Sequence, residues 1–133
     1  MAALDTTILV RFLVEDDAAQ LAAARRLIRR CVLASEALYV PATVAIELEW
    51  VLRSTFGFAK PVVVATLSRL LASAELSFES EGAVEVALLH YSQGSADYAD
   101  CLHVALASAA GEQPLWTLDK AAAKVAGARL LKA

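Results

Sequence analysis

LDTTILVRFL (4–13) decides the fold. An apolar start ends at Leu4. One acid, Asp5, and two hydroxyls, Thr6 and Thr7, follow, and then a second apolar stretch. Ile8, Leu9, Phe12 and Leu13 recur at helical spacing, so a helix is expected from Thr6 to Val14. Residues 2–4 fit a short strand before it. A strand that becomes a helix at a carboxylate is a site-bearing unit of α/β folds, where ligands sit beyond the carboxyl ends of the strands.

The same alternation continues outward. Asp16 and Asp17 can cap a second helix, about 17–32, rich in alanine and arginine. LYVP (38–41) reads as a strand closed by Pro41, and TVAIELEWVLRSTF (43–56) as a helix stopped by Gly57. Pro61 fits the first turn of a helix reaching Ala72, and ELSF (75–78) is a strand. Helices over 81–92 and 97–110 end at Gly94 and Gly111. PLWTLD (114–119) is a strand ending on an acid, and a short alanine-rich helix and a last strand, ARLL, complete the chain. Strands alternating with helices imply an α/β fold with a mainly parallel sheet and right-handed crossovers. No linker, repeat or low-complexity segment interrupts residues 1–133, so one domain is expected.

Composition narrows the function classes. The chain is 59% hydrophobic, yet no uncharged run exceeds 11 residues, the length of Cys101–Gly111. A membrane span needs about 20 apolar residues, so none is expected, nor is a signal peptide. The apolar excess is assigned to a core and to a subunit or partner interface. A net charge of −3 and a pI near 5.3 give no general attraction for nucleic acid, so any such contact must be local. Cys31 and Cys101 lack CxxC spacing and read as buried thiols of a reduced, cytoplasmic protein.

Carboxylates recur beside apolar runs: Asp5, Glu47 in AIELEWVL, Asp97 and Asp100 in SADYADCLHVALA, and Asp119 in LWTLD. Asp97 and Asp100 are three apart and share one helix face. Converging carboxylates repel one another, and a hard divalent cation relieves the repulsion. Such a cation can polarise a phosphoryl oxygen and activate water, which points to phosphodiester hydrolysis. Each acid also has a plainer use. Asp5, Asp97 and Asp119 can cap helices, and Glu47 and Glu49 face different directions, so one can be a surface charge.

These residues resemble the motifs of the PIN-domain ribonucleases, in particular the VapC-type toxins of bacterial toxin–antitoxin pairs. LDTTILVRFL is similar to the family's opening Asp-Thr-Asn and apolar helix, with Thr7 in place of the Asn. Thr7 keeps a side-chain oxygen but lacks the amide donor. VPATVAIELEWVL resembles the second motif, with its acid at Glu47. DYADCLHVALA resembles the third, with Asp100 as the match, and LWTLDKAAAK the fourth, with Thr117 and Asp119. The resemblance covers nearly the whole chain. It implies a three-layer α/β/α fold with a mainly parallel central sheet, Mg²⁺ or Mn²⁺ dependence and endonuclease action on RNA. It also implies a homodimer and a small antitoxin whose tail blocks the site. Asp5 and Asp100 are then the direct metal ligands. Glu47 and Asp119 hold waters or a second ion, Asp97 is peripheral, and the Thr7 and Thr117 hydroxyls orient carboxylates.

Other residues carry weaker signals. Arg25, Arg26, Arg29 and Arg30 form a basic stripe that serves equally as a solvated face, a phosphate contact or an antitoxin contact. Arg11, Arg53, Lys120 and Lys124 lie nearer the acids and are better placed for RNA. His103 reads as a half-buried, hydrogen-bonded histidine, and Trp50 as a core or interface residue. PVVVATLSRLL (61–71) is a candidate dimer or partner face. The competing reading is a catalytically silent PIN-like binding or scaffold domain. A haloacid-dehalogenase-type phosphoryl transferase needs a second Asp where Thr7 stands, and a response-regulator receiver carries its Asp after the third strand rather than the first.

Overall fold

Asp5 makes the first turn of the chain. In the computed structural model, which describes residues 2–133, its backbone is extended (φ −82°, ψ 159°) and its Oδ1 accepts the Thr6 N–H at 2.7 Å. That cap starts α1 (Thr6–Val14) at the expected residue, and Glu15 ends it in a left-handed conformation. Asp17 then caps α2 (Ala18–Leu33), accepting the Gln20 N–H at 3.0 Å. Strand β1 (Leu38–Val40) stops at Pro41 and α3 (Ala42–Trp50) follows. Proline offers no capping side chain, so a distant residue supplies one: Glu79 Oε1 accepts the Ala42 N–H at 2.8 Å. The expected helix over 43–56 is α3 plus a π-helical turn, Val51–Thr55, and Gly57 (φ +70°) stops it.

The rest follows in order: α4 (Lys60–Ala72), β2 (Leu76–Phe78), α5 (Glu81–Gln93), α6 (Tyr98–Ala109), β3 (Leu115–Thr117), a 3₁₀ turn (Ala122–Lys124) and β4 (Ala128–Leu130). The fold class is α/β, and every strand pair is parallel. Leu38, Tyr39 and Val40 pair with Leu76, Ser77 and Phe78, and β3 pairs with β4 from Leu115–Ala128 to Thr117–Leu130. Among the described residues, hydrogen bonding divides these strands into two ladders. The strand expected over 2–4 is reduced to one parallel bridge, Ala3–Tyr39, flanked by Leu4 N–H to Tyr39 O and Tyr39 N–H to Ala2 O, both at 2.8 Å. Asp5 turns the chain into α1 before a longer ladder can form.

One core cluster joins these elements. Leu4, Leu38, Val40, Leu48, Leu52 and Leu102 are each at most 2% exposed. Burying such a side chain is worth roughly 1.5–3 kcal/mol, so burial of this face drives the short strands and helices together. Helix α6 packs on α5, on α3 and on β3. Gly127 (φ +103°) lets the turn before β4 approach α6, because a Cβ there would lie 3.0 Å from Val104 Cγ1. Cys31 and Cys101 are both buried free thiols, as expected. Among the described residues no helix is long and apolar enough to cross a membrane.

Candidate active site

The strand ends and helix starts carry the acids. Asp5 follows the Ala3–Tyr39 bridge by two residues, just as Pro41, at the start of α3, follows Tyr39. Its second oxygen, Oδ2, accepts the Thr7 hydroxyl at 3.3 Å, so Thr7 braces the carboxylate despite lacking an amide. Asp97 is the N-cap residue of α6 by position, without a side-chain cap, and Asp100 lies in that helix's first turn. Asp119 follows β3. The Thr117 hydroxyl accepts the Asp119 N–H at 3.0 Å, so it fixes the turn and not the carboxylate. Asp119 Oδ1 accepts the Ala121 and Ala122 N–H groups at 2.8 and 3.0 Å. The capping roles considered for Asp5 and Asp119 are therefore real.

Electrostatics identifies the groups that act on Asp100. Burial pushes the Asp100 carboxyl above its usual range, and the Asp119 and Asp97 carboxylates push it further, with His103 opposing them. Asp119, after β3, and Asp97, at the start of α6, thus both act on Asp100. Asp5 stands just before α1 and Glu47 lies on α3; α1 packs on α3 and α3 on α6, but neither acid is among the groups that act on Asp100. Among the described residues no three Asp, Glu, His or Cys side chains are near enough to hold a metal ion. The chemistry of the donors still fits a hard divalent cation: they are carboxylates, and Asp100 is under like-charge strain that a cation would relieve.

The second motif divides unexpectedly. Glu47 is exposed on α3, whereas Glu49, two residues on, is 4% exposed. Glu49 Oε2 accepts both Arg53 Nε and the Tyr91 hydroxyl at 2.8 Å. Burial and the hydrogen bond to Glu49 hold the Tyr91 phenol up at about 12. The i,i+4 spacing of Glu49 and Arg53 was a signal for this pair. Tyr91, on α5, gave none.

Three further expectations change. Arg11 is not free for RNA, because its guanidinium donates to Gln20 Oε1 at 2.6 Å and pairs with Asp16, tying α1 to α2. Trp50 is 53% exposed, which removes the core half of its expected role and leaves the interface half open. His103 is exposed rather than half-buried. The basic stripe on α2 is solvent-facing throughout.

A family model described as PIN domain matches residues 2–128. Comparison with curated proteins and with solved structures yields no match.

Proposed function

The chain belongs to the PIN-domain family, a nuclease superfamily whose members generally depend on metal ions, and from that premise we propose that it is an endoribonuclease hydrolysing RNA phosphodiester bonds. The observation that carries the proposal is the PIN-domain match over residues 2–128, which spans Asp5, Glu47, Asp100 and Asp119.

Asp5 and Asp100 would hold a divalent cation, Mg²⁺ or Mn²⁺, with Glu47 and Asp119 beside them. Such a cation, when bound, polarises the phosphoryl oxygen and offsets the charge that develops there. The chain's own residues do the rest. Thr7 restrains Asp5 by donating to Oδ2. Asp119 is fixed by two backbone N–H groups, so its free oxygen can orient an attacking water. On this reading the first turn of α6 would hold Asp100 beside them, and such preorganisation would avoid reorganisation during reaction.

The proposal extends to a single domain and to the toxin half of a VapC-type pair, a homodimer checked by a small antitoxin. The exposed Trp50, Val62, Val86 and Leu89, each 47–53% accessible, support a protein-covered surface. The second reading, a catalytically silent PIN-like scaffold, draws on the capping bonds already spent by Asp5 and Asp119.

The deciding experiment incubates purified protein, freed of any partner, with structured RNA. Cleavage in Mg²⁺ or Mn²⁺ and none in EDTA is expected. Equal products with and without the chelator would rule out the metal mechanism, and none under either condition would favour the scaffold.

A further inference from the structure

Glu49 takes no part in the chemistry above, yet it is buried and its Oε2 accepts two hydrogen bonds. Its two donors come from different elements, Arg53 on the π turn and Tyr91 on α5. Burying a carboxylate is costly unless donors satisfy it, and here one is a cation. The pairing is one-sided: Arg53 uses only Nε, and its side chain is 45% exposed. The terminal nitrogens make no hydrogen bond among the described residues. A structural ion pair would turn the guanidinium fork inward, whereas this one leaves the fork free.

The network ends at the acids. The Tyr91 ring meets Tyr98 edge-on, with centroids 5.5 Å apart at 69°. Tyr98 is the first residue of α6, between Asp97 and Asp100. Lys60 Nζ stands 4.5 Å from the Tyr91 centroid and donates to Gly94 O at 2.8 Å, three residues before Asp97. A buried anion, two cations and two rings therefore tie the π turn to the helix start that carries the acids.

We propose that Arg53 contacts a phosphate of bound RNA beside the carboxylates, and that Glu49 is its positioning residue. The inference rests on the ribonuclease reading. A guanidinium fork matches the paired oxygens of a phosphate. Fixing Nε in advance reduces the rotamer entropy lost when RNA binds, a saving of about 0.5–1.5 kcal/mol for one long side chain, or roughly two- to tenfold in affinity.

The test is fluorescence anisotropy with a short labelled single-stranded RNA, in Ca²⁺ to limit cleavage, across a salt series. Arg53→Gln should weaken binding and make the slope of log K against log salt shallower by about 0.7, one phosphate contact on a single strand. Glu49→Gln removes a negative charge, so charge alone predicts tighter binding. Positioning predicts binding weakened about two- to tenfold with the slope unchanged. Should Arg53→Gln unfold for want of a partner to Glu49, the double variant E49Q/R53Q leaves no unpaired carboxylate and must show the shallower slope. Wild type that fails to bind RNA overturns the ribonuclease reading and this inference with it. Wild type that binds while Arg53→Gln keeps its affinity and slope overturns the phosphate contact alone. Tighter binding by Glu49→Gln overturns the positioning role.

Discussion

Asp100→Asn should lose RNA cleavage by well over the roughly 10–100-fold typical of outer-shell metal partners, and still melt at or above the wild-type temperature. The two effects share one cause. In the fold, burial and the Asp119 and Asp97 carboxylates favour the protonated form of Asp100. The folded protein therefore binds more protons than the unfolded chain between the ordinary aspartate value and the raised one. Stability falls as pH rises through that window, and above it the ionised carboxylate opposes folding. Asn removes that charge, so it relieves strain while deleting a ligand. Asp97→Asn, at an exposed position, should cost only about 10–100-fold. Asp5→Asn should also be inactive yet folded, because Asn caps a helix about as well as Asp. Single-turnover rates in Mg²⁺ and thermal melts of the three variants, read together, check this. An inactive Asp97→Asn beside a largely active Asp100→Asn would place the ligand one helical turn earlier. A clear fall in melting temperature for Asp100→Asn would mean that the carboxylate stabilises the fold.

Leu102→Ala should destabilise the protein by about 2–5 kcal/mol, the range for a fully buried leucine cut back to alanine. Leu102 is 0% exposed on α6, the helix that carries Asp100 and packs on α5, α3 and β3. A cavity there loosens the element on which the acids depend. Against a typical total of 5–15 kcal/mol, that is a large fraction. Leu33→Ala, at a side chain 80% exposed, should stay within about 0.5 kcal/mol. Urea denaturation midpoints measure both. A loss below about 1 kcal/mol at Leu102 would contradict the packing of α6 described here.

Local signals in the sequence carried much of the fold. Helix α1 starts and ends where Asp5 and the apolar spacing place it, and Asp17, Pro41, Pro61 and the glycines mark real boundaries. What was not legible depends on distant partners. Glu49 and Glu47 look alike in AIELEWVL, and only Tyr91, on another helix, makes the former the buried acid. Glu79 caps α3 from 37 residues away because Pro41 cannot. Trp50 sits in an apolar run but on its open side. The division of the strands into two ladders also arises from pairing across the chain, which periodicity does not encode. Asp100 lies at a helix start and Asp119 after a strand end, as the sequence places them, and the Asp119 carboxylate adds to the raising of Asp100.

The central claim is that these carboxylates form one cation site, and calorimetric titration of Mn²⁺ into the metal-free protein tests it most directly. Wild type should bind Mn²⁺ saturably and in competition with Mg²⁺, and Asp100→Asn, still folded, should not. No saturable binding by wild type, or undiminished binding by Asp100→Asn, would contradict the claim and leave these acids as caps and surface charges.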